Sequence, residues 1–266
     1  MNDKDFSQLL EFLGLSWQGY RKVRKGVKKR VCRHMQRLGC RSMREYLDQL
    51  GQSAEVKRQC ELAVTVPISR FFRDQRLWEA LENHILPELI AAGMGSVRVW
   101  CAGCACGEEA YSLKILWDQM GRSIGTLPVL DITATDLNPL HLERAEAGVY
   151  TASSLREVPE EIKATGFEVE PGGKRFKVKP DLRAGIVWRV HDFLSGPPES
   201  GFNLVLVRNN LLTYYQKARI RPALADIVNA IAAGGYLVVG SREKLPCPFS
   251  ALQACSSLPF AFRKAA

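Results

Sequence analysis

The feature that most restricts the fold is a short apolar run, Val97-Arg98-Val99-Trp100, that passes at once into Cys101-Ala102-Gly103-Cys104-Ala105-Cys106-Gly107-Glu108-Glu109. The run reads as a strand and Glu108 to Met120 as a helix, so the glycines stand in a strand-to-helix turn. Further strands are expected at 129–135 (ending at Asp136), 186–190, 204–207 and 236–240, with helices at 139–147 and about 218–233. Strands alternating with helices at this spacing argue for an α/β fold with a mostly parallel, doubly wound sheet. In such sheets ligands bind at the carboxyl ends of the strands, which is where Gly103 and Gly107 fall.

The first seventy residues have a different texture. Phe6, Leu9, Leu10 and Leu13 recur at helical spacing, as do Val27, Val31, Met35 and Leu38 in a helix expected from about Tyr20 to Leu38. Lys28, Lys29, Arg30, Arg33 and Arg37 cover much of the remaining circumference of that helix. Ser42 to Glu45 has the form of a capping box opening another short helix. We therefore expect a small, basic N-terminal helical domain, 1–70, followed by a larger domain, 71–266. A helix is expected from Phe72 to about Ala92, broken at Pro87. Within 166–185, Phe176 and Val178 alternate with charged residues, which points to an inserted β-hairpin element.

Charge is placed unevenly. Residues 1–70 hold 15 Lys/Arg against 7 Asp/Glu, leaving 22 against 21 for the rest of a chain whose net charge is +9. A basic appendage of this kind meets an acidic partner, nucleic acid or an acidic protein surface. No run approaches the ~20 apolar residues that span a bilayer, so membrane insertion is not expected. The start, MNDKDFSQLLEFLG, has acids where a secretory signal carries a basic segment, so the expected location is the cytoplasm. Cys101, Cys104 and Cys106 are the tightest group of the 8 cysteines, but they lack a second ligand pair at a metal-site spacing. No metal is expected. His34, His84, His141 and His191 show no mutual spacing of a metal site or triad.

The glycine spacing matches neither the dinucleotide fingerprint nor a phosphate loop. Moreover, Glu108 and Glu109 occupy the helix start that would otherwise receive phosphate. Two carboxylates there repel an anion and suit a ligand bearing ammonium or sulfonium charge. S-adenosylmethionine has both and no phosphate. Asp136 ends the second strand, where acids accept ribose hydroxyls, and Asp192 with Phe193 follows a later strand in a similar way.

Five segments, TVPISRFFRD (65–74), WCAGCACGEEAYSLKIL (100–116), TDLNPLHLERAEAGVY (135–150), VRNNLLTYY (207–215) and GGYLVVGSREKL (234–245), occur in the order found in CheR-type methyltransferases. From about residue 20 to 245 the chain resembles that family, which methylates glutamate side chains of bacterial chemoreceptors. The resemblance implies a methyltransferase sheet, S-adenosylmethionine as cofactor and S-adenosylhomocysteine as product. It also implies that Ser69 and Arg73 contact the cofactor's methionine end or the incoming glutamate, and that Gly103, Gly107 and Glu109 bind the cofactor. Asp136 would hold the ribose, Asp192 and Phe193 would line the adenine pocket, and Arg208 and Asn209 would stand near the reacting centre. Tyr214 matches the family's site tyrosine, although Arg208 and Tyr214 are six residues apart where the family has five. Pro67 stands where the family often has Asn, and Ser241-Arg242-Glu243 replaces its His-Ser-Glu.

The expected reaction is in-line methyl transfer to a glutamate carboxylate, with Arg73 and Tyr214 as the catalytic residues. The receptor's cytoplasmic helical domain would be met through the basic N-terminal helix. A nucleic-acid methyltransferase docking through that helix is the alternative, disfavoured because it lacks an Asn/Asp-Pro-Pro-aromatic motif and interleaved aromatics. A degenerate domain that binds cofactor or partner without turnover is a further alternative.

Overall fold

A computed structural model describes residues 1–67 and 69–265 and divides the chain into two units. One comprises Met1–Val66 with Asn209–Arg221, and the other Pro67–Arg208 with Pro222–Ala266. Segment 209–221 thus belongs with the N-terminal helices.

In that first unit, α1 (Asp3–Phe12), α2 (Trp17–Tyr20), α3 (Arg24–Arg37), α4 (Met43–Gln52) and α5 (Ala54–Val64) surround a core of Phe6, Leu9, Leu10, Val27, Val31, Tyr46, Leu50 and Cys60. The helix expected over about 20–38 forms as α3, starting at Arg24 after the separate one-turn α2. A Cβ at Gly19 would lie 2.1 Å from the Thr213 carbonyl oxygen, so α2 is pressed against the 211–214 turn and the basic helix starts anew at Arg24. A full capping box forms at Asn2 and Asp5. At α4, Ser42 caps the Glu45 amide, and the Glu45 carboxylate accepts from the Arg41 amide at 2.9 Å.

The cations of α3 divide into two kinds. Lys28 pairs with Asp3. Arg30 donates to the Ala63 and Thr65 carbonyls at 2.8 and 2.5 Å and so caps the end of α5. Lys29, Arg33 and Arg37 are exposed. His34 is buried, with Nδ1 2.7 Å from the Tyr46 hydroxyl and Nε2 3.3 Å from the Gln59 side chain.

The second unit is built on a seven-stranded sheet of described residues, with strand order β6-β2-β1-β7-β8-β10-β9. Its strands are β1 (Ser96–Ala102), β2 (Val129–Asp136), β6 (Ile186–Val190), β7 (Phe202–Val207), β8 (Ile231–Val239), β9 (Leu252–Cys255) and β10 (Leu258–Lys264); β3 (Val149–Thr151), β4 (Phe167–Val169) and β5 (Arg175–Val178) lie apart. The first five strands in sheet order run parallel; β10 adds antiparallel to β8, and β9 antiparallel to β10. Those last two were not legible: Pro259 interrupts the alternation, and a register shift between Leu258 and Phe262 accommodates it. β7 is buried along its whole length, as a central parallel strand requires.

Helices α6 (Gln75–Ala80), α7 (Leu86–Ala91), α8 (Glu108–Ile124), α9 (Pro139–Ala147), α10 (Glu160–Gly166) and α11 (Pro180–Arg183) precede β7, and α12 (Leu211–Tyr214) and α13 (Lys217–Ala230) follow it. The helix expected from Phe72 starts at Gln75 and is not broken at Pro87. It widens into a π turn at Leu81–Ile85 and resumes as α7 with Pro87 in its first turn, where a missing N–H is least costly. The expected hairpin in 166–185 forms from β4 and β5, and β3 pairs on the other edge of β5 to make a three-stranded antiparallel sheet. Phe71 packs into this element, with ring centroids 4.8 Å from Tyr150 and 5.0 Å from Phe167. Among the described residues no helix is long and apolar enough to cross a membrane.

Burial holds the His34 imidazole below its ordinary value of 6.5. The unfolded chain therefore takes up the proton first. The stability carried by neutral His34 is complete above pH 6.5 and is lost as pH falls through the lowered folded value. Comparing unfolding midpoints at about pH 7.5 and about pH 5.5, His34→Gln should lose less stability on acidification than wild type. An equal loss in both proteins would assign the acid sensitivity to other groups.

Candidate active site

Strand order reverses between β1 and β7, which places a topological switch at their carboxyl ends. The loop there needs unusual backbone: Gly103, Ala105 and Gly107 have φ of 71°, 50° and 89°. A Cβ at Gly107 would also lie 2.8 Å from both Ala145 Cβ and Trp188 Cη2. Glycine is required at 107 by conformation and by space. The loop is fastened to the end of β2, where the Cys104 amide donates to the Thr135 carbonyl at 2.8 Å and the Ala105 amide donates to Asp136 Oδ2 at 2.9 Å.

Asp136 is buried and multiply engaged. Its Oδ1 accepts from the Asn138 amide at 2.9 Å and lies 3.1 Å from His141 Nδ1. Its carbonyl accepts the His191 amide at 3.0 Å. One residue on, Asp192 caps the short turn Phe193–Ser195 by accepting from the Leu194 amide, and Phe193 is buried there. Gly103, Gly107, Asp136, Asp192 and Phe193 thus lie at or just past the carboxyl ends of three adjacent strands, β1, β2 and β6.

A second cluster lies around Arg208, directly after β7. Arg208 Nη1 donates to Glu109 Oε2 at 2.9 Å, and Nη2 donates to Asp74 Oδ2 at 3.2 Å and to the Arg73 carbonyl at 2.8 Å. The guanidinium lies 5.4 Å over the Trp78 ring, and Trp78 Nε1 donates to the same Arg73 carbonyl at 2.9 Å. Arg73 and Glu243 are within electrostatic reach of Glu109. Burial raises the Glu109 carboxyl above its usual range, opposed by Arg208. Burial likewise raises Glu108, which accepts from Ser69 and has Arg144 nearby.

The FFRD segment is held in strained geometry. Phe72 and Asp74 have φ of 51° and 67°, a region bulky residues avoid. Such strain persists only where the surroundings over-determine it. Here the Phe72 amide donates to Ser112 Oγ at 2.9 Å, Ser112 Oγ donates to the Glu108 carbonyl at 2.6 Å, and Asp74 is held by Arg208.

Within the first unit, Tyr214 lies 5.0 Å from Tyr20 between ring centroids, and its carbonyl accepts the Ser16 amide at 2.8 Å. Asn209 opens this segment with φ 54°. Cys101, Cys104 and Cys106 are buried. Burial pushes the first two thiols well above their ordinary value and Cys106 up to about 11. Buried thiols of this kind are poor metal ligands.

Asp74, Trp78, Ser112 and His141 were not singled out from sequence. Asp74 and Trp78 sit in or one turn beyond the FFRD motif, and His141 follows Asp136 and Asn138 on one turn. The last spacing is a local signal that no search for paired histidines would find.

The model of the CheR methyltransferase, SAM binding domain, matches residues 68–258. A chemotaxis protein methyltransferase from Listeria monocytogenes is 34% identical over 236 residues, covering 89% of this chain and 87% of the relative. Chemotaxis protein methyltransferase 1 from Pseudomonas aeruginosa is 32% identical over 225 residues, covering 82% and 81%.

Arg208 has a side chain only 3% exposed. Truncating it strands the Glu109 carboxylate, so Arg208→Met should cost about 3–5 kcal/mol in urea unfolding. Asp74→Asn, at a partly exposed partner, should cost less. A midpoint for Arg208→Met equal to wild type would show that the network is solvated in solution.

Proposed function

The chain belongs to the CheR methyltransferase family, and from that membership we propose that it esterifies glutamate side chains of chemoreceptors in the cytoplasm. S-adenosylmethionine is the cofactor. The residues fit it. The strand-to-helix turn has the close backbone approach a nucleoside needs, and acids, not a phosphate loop, stand at the start of α8. The observation that carries the reading is Asp136. Its Oδ1 takes two hydrogen bonds and its Oδ2 one, so Oδ2 keeps a lone pair for a ribose hydroxyl.

When bound, the cofactor supplies an electrophilic methyl group. The receiving carboxylate is already ionised at neutral pH, so no strong base is needed and catalysis rests on positioning and electrostatics. Arg73 orients that carboxylate through its planar fork, and its backbone is clamped by the donors of Arg208 and Trp78. Gly103, Gly107 and Glu109 support the cofactor's methionine part, with Ser69 acting through Glu108. Asp192 and Phe193 border the adenine. Asn209 shapes the turn after Arg208. Tyr214 carries the aligning role that the family resemblance assigns to it.

Receptor recognition falls to Lys29, Arg33 and Arg37, because Lys28 and Arg30 are committed to Asp3 and to the end of α5. Exposed cations of this kind steer an acidic helical surface toward the enzyme.

With a receptor cytoplasmic fragment and radiolabelled cofactor, the label should be released as methanol in alkali. Base-stable label would move the reaction to nitrogen or nucleic acid. Arg73→Ala and Tyr214→Phe should each lower kcat far more than they weaken product binding. Wild-type turnover in either variant removes that residue from the mechanism.

Reversing Lys29, Arg33 and Arg37 to Glu should raise the apparent KM for receptor and slow association at low salt, with cofactor binding unchanged. Added salt should narrow the gap between variant and wild type. Tight duplex binding with a steep salt slope, lost in the same variant, would favour a nucleic-acid substrate.

A further inference from the structure

We propose that His141 is a positioning residue that sets the orientation of the Asp136 carboxylate toward the cofactor ribose, an inference that rests on the cofactor reading of Asp136. The two side chains are 10% and 12% exposed and meet at 3.1 Å between Nδ1 and Oδ1. The other imidazole nitrogen, Nε2, lies 3.3 Å from Asn138 Nδ2.

The helix cap decides which way the hydrogen bonds run. Asn138 is the N-cap of α9, and its Oδ1 accepts the Leu140 amide at 3.1 Å. The amide oxygen is therefore committed to the helix, and the amide NH2 is the end that faces His141. An NH2 group donates, so Nε2 accepts. The ring proton then sits on Nδ1 and is donated to Asp136 Oδ1. The Asn138 backbone amide donates to the same oxygen at 2.9 Å.

A relay thus runs from the α9 cap through the Asn138 amide and the imidazole to the carboxylate. It fills Oδ1 from two directions and fixes the rotation of the carboxylate. On Oδ2, where the Ala105 amide is the other partner at 2.9 Å, the remaining lone pair is left pointing in one direction. Without the Nδ1 donor, Asp136 retains its backbone donors but loses the side-chain contact that holds its plane. The histidine touches neither cofactor nor substrate in this role. It acts through Asp136.

The test compares three variants by calorimetry with S-adenosylhomocysteine and by steady-state kinetics. In His141→Asn the amide nitrogen replaces Nδ1 and keeps the donor. In His141→Gln it replaces Nε2 and loses it. His141→Leu has no donor at all. Product affinity should fall about tenfold in the Leu and Gln variants, the worth of one hydrogen bond to a charged group. It should return to within about threefold of wild type in the Asn variant. The Leu and Gln variants should raise KM for the cofactor with little change in kcat at saturation.

If His141→Leu does not fold, the Asn and Gln pair carries the comparison. Equal affinities in those two variants overturn the positioning role, even where both have lowered melting temperatures. Binding lost in Asp136→Ala but kept in His141→Gln overturns it while leaving the cofactor reading intact. Wild-type protein that binds no product sinks both.

Discussion

The tie between the β1 loop and the end of β2 is the contact on which the candidate site depends. Asp136 accepts the Ala105 amide while Ala105 sits at a φ of 50°. Without that acceptor the amide of a strained, non-glycine residue would have no reason to point across the strands. The same carboxylate receives the Asn138 amide and faces His141, so one side chain shapes both the loop after β1 and the turn after β2. Gly107 completes the arrangement by letting the start of α8 approach Ala145 and Trp188 more closely than any Cβ would permit. A ligand reaching this edge of the sheet meets backbone and carboxylates held in place before it arrives.

The Arg208 cluster does comparable work for the FFRD segment. A guanidinium 3% exposed is costly to bury, and its cost is offset by Glu109, Asp74, the Arg73 carbonyl and the Trp78 face together. The consequence is conformational. Two left-handed residues, Phe72 and Asp74, bracket Arg73, and the network holds the backbone between them so that the Arg73 side chain leaves from a fixed point. Strain and buried charge therefore sit side by side at the carboxyl ends of the strands, where the family's chemistry is expected.

The N-terminal unit shows how a basic helix separates structural from available charge. Of five cations read around one helix, Lys28 pairs with Asp3 and Arg30 caps the end of α5, while Lys29, Arg33 and Arg37 are exposed. Buried His34, which shares α3 with them, fastens the helix to Tyr46 and Gln59. The outward three are thereby presented from a helix anchored along its opposite side.

By itself the sequence determined the alternation of strands and helices, because hydrophobic periodicity and glycine turns are local signals. Val129–Asp136, Pro139–Ala147 and Ile186–Val190 fall where the pattern puts them. It also determined the loop at 103–107 and the family, since both are written in consecutive residues. It did not reveal the π turn before Pro87, or the start of α6 at Gln75, where hydrogen bonds to Ser112 and Arg208 hold Phe72 and Asp74 out of a helix. Nor did it show that Arg208 closes on Glu109 and Asp74, residues 99 and 134 positions away. The pairing of His141 with Asp136 lay within five residues, yet its meaning depended on a tertiary fact. Only when β1 and β2 lie side by side does the Ala105 amide reach that carboxylate, and only then does its orientation matter. Burial, which selects partners by proximity in space and makes an unpaired charge expensive, decided those contacts.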